Sequence, residues 1–66
     1  MEFIPVKSSA ISEIGYDKEL KTLSVRFLHG GQYDYPNVPE EEFKRFVGAP
    51  SIGRYYNKYI RQVYTA

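Results

Sequence analysis

Two prolines, Pro36 and Pro39, divide this chain of 66 residues into parts with different hydrophobic periods. Before them, residues 11–16, 23–27 and 32–35 carry strand signals. In residues 23–27 apolar and polar side chains alternate, which predicts a half-buried strand. Proline has no N–H to donate to a sheet, so the two prolines should end the last strand. The first part is therefore predicted to form a three-stranded antiparallel meander.

After Pro39 the pattern becomes helical. Proline is tolerated in the first turn of a helix, and the glutamates at 40–42 suit the positive end of the helix dipole. Gly48 is expected to end this first helix. Ser51 is a suitable N-cap for a second helix, predicted to run to about Val63. The first helix should bury one stripe of apolar residues, namely Phe43, Phe46 and Val47.

The second predicted helix carries an apolar arc about 100° wide, which should face the sheet. Its members are Ile52, Tyr56, Tyr59, Ile60 and Val63. The fold class that follows is α+β, in which the meander is covered on one face by two C-terminal α-helices. Residues 1–66 are expected to form a single domain.

Size and composition narrow the chemistry. A chain this short buries only about 60% of its unfolded surface. It has no cysteine and one histidine, so neither a disulfide nor a metal or cofactor site is expected. Seven tyrosines and four phenylalanines are the expected compensation in the core. The N-terminus lacks a secretion signal and no apolar run could cross a bilayer, so a cytoplasmic location without membrane association is expected.

The charges are segregated along the chain. Residues 1–42 hold eight acids and four cations, a net charge of −4, whereas residues 43–66 hold five cations and no acid, a net charge of +5. Lys44 and Arg45 follow two glutamates by four residues, so pairing within the first helix explains them. The other three cations share their stretch with four tyrosines. Cations interleaved with aromatic rings suit a polyanion whose bases can stack.

Those three cations, Arg54, Lys58 and Arg61, fall within about 60° of one another on the second predicted helix. They lie opposite the apolar arc and have no acidic partner in their own helix. Tyr55 and Tyr64 border them. Two interpretations stay open: a solvated helix face that pairs across space with acids of the first part, or a surface that contacts a polyanion.

Tyr33 and Tyr35 project from the same face of the third predicted strand. A two-residue turn at 30–31 would place both rings on the polar face, where they could stack on bases. A three-residue turn at 29–31 would pair Tyr33 with Phe27, and the rings would then mainly pack in the core.

The charge pattern also favours the three-residue turn, because that turn sets Arg26 opposite Asp34. His29 at the loop tip is interpreted as turn chemistry rather than as a catalytic base. No second histidine and no cysteine are present to complete a nucleophilic set. Enzymatic activity is therefore not expected.

An ordered set of short strings resembles the KTSC domain family. The resemblance spans about residues 8–64 and implies a domain known at the C-terminus of some lysyl-tRNA synthetases and as free-standing small bacterial proteins. It implies RNA binding, from the synthetase linkage, and no catalytic residue. The strings are Ser8-Ser9-Ala10-Ile11, Gly15-Tyr16-Asp17, Leu23-Ser24-Val25-Arg26-Phe27, Tyr33-Asp34-Tyr35, Val38-Pro39, Ala49-Pro50-Ser51-Ile52-Gly53-Arg54-Tyr55-Tyr56-Asn57, Ile60-Arg61 and Tyr64.

The leading hypothesis is a non-catalytic module that binds single-stranded or loop RNA. Its alternative is a protein-interaction adaptor in a bacterial or phage assembly, since Arg and Tyr are also enriched at protein interfaces. The chain is expected to be a monomer or, through an exposed sheet edge, a weak homodimer. The predicted nucleic-acid-binding residues are Arg54, Lys58 and Arg61 for phosphates, with Tyr55, Tyr64, Tyr33 and Tyr35 for ring faces or hydroxyls.

Overall fold

The computed structural model describes residues 1–65. These residues form an α+β fold with one antiparallel sheet, whose four strands are neighbours in sequence order. Two helices follow the sheet, and the second continues directly into a π-helical segment. The elements are β1 (Glu2–Pro5), β2 (Ile11–Asp17), β3 (Thr22–Phe27), β4 (Gln32–Tyr35), α1 (Glu40–Val47), α2 (Ile52–Tyr55) and the π-helical segment Tyr56–Ile60.

The prediction of three strands is wrong by one, because β1 pairs with β2 and adds a fourth. In this pairing Ile4 lies opposite Ile14. The strand is only four residues long and ends at Pro5. A proline is tolerated here because β1 is an edge strand, where the missing N–H breaks no inner ladder. So short a segment beside a proline gives a weak strand signal in the sequence.

The β3–β4 hairpin turns one residue earlier than the predicted three-residue turn, because the loop closed by Phe27 and Gly31 spans residues 28–30. Val25 lies opposite Tyr33, and Leu23 lies opposite Tyr35. The predicted pairing of Tyr33 with Phe27 is therefore wrong by two residues. A shift of two keeps each side chain on its predicted face of the sheet. The Phe27 N–H closes the loop by donating to the Gly31 carbonyl over 3.1 Å.

Arg26 also has a different neighbour from the predicted one. It lies opposite Gln32, and its Nε donates to the Gln32 side chain over 2.9 Å. Asp34 instead lies opposite Ser24 and accepts a hydrogen bond from its hydroxyl over 2.6 Å. The charge pair expected between Arg26 and Asp34 is thus replaced by two separate polar contacts.

The core lies between the sheet and the helices, with Phe46 of α1 at its centre. The Phe46 ring is fully buried and stacks on Tyr55, with 5.6 Å between ring centroids. The predicted stripe of α1 is confirmed, because Phe43 and Val47 also pack against the core. The buried apolar residues are Ile11, Ile14, Leu23, Val25, Tyr35, Val38, Phe46, Ile52, Tyr56 and Ile60.

The second helix begins as predicted and ends differently. The Ser51 hydroxyl accepts a hydrogen bond from the Arg54 N–H and caps the helix. Further on, the Arg61 N–H donates to the Tyr56 carbonyl over 2.8 Å, a span of five residues rather than four. This wider turn defines a π-helical segment. The predicted end at about Val63 is therefore wrong, since the regular helix gives way at Tyr56.

The wider turn also changes which residues face inward. Ile60 is fully buried, as predicted, whereas Tyr59 and Val63 are exposed and were predicted to be buried. Tyr64 packs against the core instead, and its N–H donates to the Ile60 carbonyl over 2.9 Å. One extra residue in the turn moves every later residue back by about 100°. Tyr64 thereby takes the inward position that Val63 would have in a regular helix.

No helix within residues 1–65 has the length and apolar character needed to cross a lipid bilayer.

Candidate nucleic-acid interface

The three cations of the predicted interface are all exposed and lie outside every ion pair found within residues 1–65. The ion pairs of this part of the chain use other cations. They join Lys18 to Glu40 at 3.5 Å, Arg26 to Glu13 at 3.3 Å and Arg45 to Glu41 at 3.5 Å. The interpretation that acids of the first part pair across space with Arg54, Lys58 and Arg61 is therefore not supported. The predicted pairing of Arg45 with Glu41 is confirmed, whereas the pairing predicted for Lys44 with Glu40 is not found within residues 1–65, where Glu40 pairs with Lys18.

The π-helical segment sets Arg61 apart from the straight stripe that a regular helix would produce. Arg61 lies beside the β3–β4 hairpin, at a shallow depression of about 400 Å³. Lys58 has another neighbour, because its ammonium lies 5.3 Å from the centroid of the Tyr59 ring. The residues that line the depression are Phe27, Gly30, Gly31, Tyr33, Tyr56 and Arg61. The structure thus brings two of the predicted residues, Tyr33 and Arg61, to one place.

Tyr33 presents a ring to solvent, which corrects the expectation that it mainly packs in the core. Its side chain is 54% exposed, because β4 is the edge strand of the sheet. The Phe27 ring meets Tyr33 edge to face at a centroid distance of 5.4 Å. Tyr33 is thus in contact with Phe27 while more than half of its surface stays exposed.

Tyr35 is a core residue and offers no ring face. It is 3% exposed, and its hydroxyl lies 2.6 Å from the Tyr56 hydroxyl. Burial, and then the hydrogen bond to Tyr56, raise the pKa of Tyr35 far above its ordinary value. The positive charge of Arg61 opposes this rise. The expectation of a packed ring holds for Tyr35, and its inclusion among the RNA-binding residues is corrected.

Tyr55 is held by the acidic side chain of Glu42, and Tyr64 lies near the same carboxylate. The Tyr55 hydroxyl donates to the Glu42 carboxylate, and burial together with this contact raises the pKa of Tyr55 to about 12. Burial, followed by the nearby Glu42 charge, also raises the pKa of Tyr64. Both rings are half-buried and pack against the core. Tyr55 thereby ties α2 to α1, and neither tyrosine lines the Arg61 depression.

Sequence reasoning missed three contributors to the depression, namely Phe27, Tyr56 and the glycine pair at 30–31. Both glycines have positive φ, 96° and 89°, a conformation that other residues adopt only with strain. A Cβ added to either would meet no atom within 4 Å. The Gly-Gly string signalled a turn, but not that its backbone would border Arg61.

Within residues 1–65, no three His, Cys, Asp or Glu side chains come together in a group that could bind a metal. The polar chemistry of the depression is that of a guanidinium, phenol hydroxyls and bare backbone. Such groups can hold an anion and a flat ring.

The protein is a small α+β domain. It has a four-stranded antiparallel sheet, two short helices on one face, and tyrosines concentrated at the end of the second helix. The sequence model of the KTSC domain matches residues 7–64. This chain belongs to the KTSC domain family.

A solved structure supports the same conclusion. A KTSC domain protein from Yersinia pestis superimposes with a TM-score of 0.92 at 36% identity, over 97% of this chain and 90% of that protein. The α+β arrangement of sheet and helices is thus shared with a relative of nearly the same length. The resemblance inferred from the sequence is confirmed.

The sequence relatives occur in two settings. A protein of Tsukamurella paurometabola is 40% identical over 94% of this chain and 92% of its own length. An uncharacterised protein of Stutzerimonas stutzeri is 34% identical over 92% of this chain and 86% of its own length. A lysine–tRNA ligase of Nostoc punctiforme is 33% identical over 83% of this chain, which is 10% of the ligase. The domain therefore exists both in short bacterial proteins and within a much longer ligase.

Proposed function

We propose that this protein is a small RNA-binding module that contacts phosphates through Arg54, Lys58 and Arg61. The observation that carries the proposal is that all three cations are exposed and lie outside the ion pairs of residues 1–65. Cations without protein partners are available to replace the counterions that surround a nucleic acid. Like charges side by side on a short helical segment slightly destabilise it, so a role in binding accounts for their presence.

Half of the eight acids in residues 1–42 lie together at a separate surface. Four acids, Glu2, Asp17, Glu19 and Glu40, line a separate hollow of about 540 Å³. That hollow shares no residue with the depression beside Arg61. A polyanion at the depression beside Arg61 would therefore avoid these four acids.

The lysine–tRNA ligase of Nostoc punctiforme supports an RNA role, because its name gives a tRNA as its substrate. Single-stranded or loop RNA is favoured over duplex, since the exposed ring of Tyr33 can stack only on an unpaired base. We also propose that the protein acts in the cytoplasm. Three phosphate contacts imply a modest affinity that falls with salt with a log–log slope of about −2 to −3.

The test is a titration of labelled single-stranded oligonucleotides at several salt concentrations. The triple variant Arg54→Gln, Lys58→Gln, Arg61→Gln should lose most of the affinity and most of the salt dependence. The matched control changes three other exposed lysines, Lys7→Gln, Lys18→Gln and Lys44→Gln, and should bind like the unchanged protein. Equal binding by both triple variants would show that the proposal is wrong.

The rival hypothesis, a protein-interaction adaptor, makes a different prediction. It expects no oligonucleotide binding at low salt. It also expects a protein complex that survives nuclease treatment and responds weakly to salt, because a tyrosine-anchored interface depends little on counterion release. That combination of results would overturn the RNA proposal.

A further inference from the structure

We infer that the depression beside Arg61 binds one unpaired nucleotide of an RNA strand, with the base on the Tyr33 ring and a phosphate at Arg61. The inference rests on the proposed RNA binding and names the part of the RNA that this site takes. The volume of about 400 Å³ falls within the range of about 300–1,000 Å³ typical of small-ligand sites.

The stacking surface is the open face of Tyr33. The ring is held by Phe27 at a centroid distance of 5.4 Å with an interplanar angle of 66°. Phe27 in turn meets the buried Tyr56 ring at 5.4 Å and 76°. This chain of edge-to-face contacts fixes an exposed ring before any ligand arrives. Stacking on a ring already in place costs little conformational entropy, which favours binding of a flat base.

The phosphate partner is the Arg61 guanidinium. The five-residue turn from Tyr56 to Arg61 directs this side chain to the hairpin rather than along the helix. Arg61 lines the depression together with Tyr33 and Gly31. A guanidinium can donate two parallel hydrogen bonds to one phosphate group. Arg61 therefore lies where the phosphate backbone of an RNA strand would pass if one of its bases stacked on Tyr33.

The glycine pair leaves room for that backbone. Because neither Gly30 nor Gly31 has a side chain, and a Cβ on either would meet no atom within 4 Å, the rim is open at the hairpin. A sugar and phosphate can approach the peptide backbone closely at such a rim. Any larger residue there would add both bulk and strain, since both φ values are positive.

The hydroxyl pair below supplies a polar contact. Tyr35 and Tyr56 share one hydrogen bond of 2.6 Å, which uses one of their two hydroxyl hydrogens. Either hydroxyl can be the donor of that bond, and the other keeps its own hydrogen. Tyr56 lines the depression, so when Tyr35 is the donor the free hydrogen of Tyr56 can be donated to an oxygen or nitrogen of a bound nucleotide.

The experiment compares two substitutions of Tyr33 in binding a short oligouridylate. Tyr33→Leu keeps an apolar side chain against Phe27 but removes the stacking face, and should weaken binding about 5-fold or more. Tyr33→Phe keeps the ring and should stay within about twofold of the unchanged protein. Thermal melts of both variants check that the fold is intact, which the exposed position of Tyr33 favours.

Amide chemical shifts provide a second readout. Addition of the oligouridylate should move the signals of Gly30, Gly31 and Tyr33, and Arg61→Gln should reduce the salt slope by about 1. An oligonucleotide in which every position is abasic should bind the Tyr33→Leu variant and the unchanged protein with equal affinity.

The outcomes separate the two proposals. If the unchanged protein binds no oligonucleotide at low salt, the RNA proposal and this inference both fall. If it binds with the expected salt dependence, but Tyr33→Leu binds equally well and the glycine signals do not move, only the nucleotide site is overturned. Movement of the same signals by a protein partner and not by RNA would also overturn it.

Discussion

The backbone N–H of Arg61 donates to the carbonyl of Tyr56, five residues earlier, at 2.8 Å. The wide turn that this hydrogen bond closes decides which side chains after Tyr56 face solvent and which face the core. It directs Arg61 to the β3–β4 hairpin, turns Val63 out to solvent and brings Tyr64 into contact with the core. π-Helical turns of this kind usually occur singly and often lie at functional sites. Here the turn forms one side of the depression in which we place a nucleotide.

The inward position of Tyr64 predicts a clear difference between two neighbouring substitutions. Tyr64→Ala should lower the free energy of unfolding by about 1–3 kcal/mol, because it removes a half-buried ring from the core. Val63→Ala should change it by less than about 0.5 kcal/mol, because Val63 is 62% exposed. Urea denaturation of both variants measures this difference. The opposite order would indicate a regular α-helix through residue 63.

Deletion of Asn57 should be tolerated, unlike deletions in most helices. In a regular helix, loss of one residue rotates all later residues by about 100°. In the wide turn, deletion of the exposed Asn57 would convert five-residue hydrogen bonding to four and leave Arg61 and Tyr64 facing as they do now. The variant should therefore fold with a melting temperature near that of the unchanged protein, as measured by circular dichroism.

The matched control is deletion of Lys44, an exposed residue inside the regular helix α1. This deletion should rotate Phe46 away from the core and prevent cooperative folding. Equal damage from the two deletions would contradict the role assigned to the wide turn.

Most of the fold could be predicted from local patterns in the sequence. The alternation in residues 23–27 placed β3, and the prolines with the glutamates at 40–42 placed the start of α1. The fourth strand, β1, could not be predicted, because its four residues end at a proline and depend on pairing with β2. Strand existence there is set by tertiary contact rather than by propensity.

The candidate site was harder to predict than the fold. Angles on a regular helix placed Arg61 in line with Arg54 and Lys58, and no residue-level signal indicated the wide turn at Tyr56. The position of the β3–β4 loop was equally hidden, since two glycines are compatible with several turns. The sequence therefore identified some residues of the site, such as Tyr33 and Arg61. It did not show that they lie together, because this depends on the wide turn and on the β3–β4 loop.

Because of the contact between Tyr55 and Glu42, the free energy of unfolding should fall at alkaline pH. The pKa of Tyr55 is raised from 10.0 to about 12 in the folded protein, first by burial and then by Glu42. A raised folded pKa means that this stabilisation is complete below pH 10.0 and is lost as pH rises through about 12. Tyr55→Phe should therefore cost about 1 kcal/mol near neutral pH, and this cost should shrink at alkaline pH.

Urea denaturation of both proteins at a series of pH values measures that difference. The control is Glu42→Gln, which keeps an oxygen that can accept the hydrogen bond but removes the negative charge. In this variant the pKa of Tyr55 should fall towards its ordinary value, as ultraviolet phenolate absorbance would show. An unchanged alkaline profile in Tyr55→Phe would count against the contact.

The contact between Ser24 and Asp34 should act at the opposite end of the pH scale. The fully buried Ser24 hydroxyl donates to Asp34, and this bond, followed by one from Gln32, lowers the pKa of Asp34 below 3.8. A lowered folded pKa gives stabilisation that is complete above pH 3.8 and is lost as pH falls through the folded value. Ser24→Ala should therefore cost about 0.5–1.5 kcal/mol at neutral pH, and less in acid.

Asp34→Asn keeps an acceptor oxygen without a titrating group, so its stability relative to the unchanged protein should improve as pH falls below 3.8. Urea denaturation across this range measures both effects, and a cost of Ser24→Ala that stayed constant into acid would show that the hydrogen bond does not favour the ionised carboxylate.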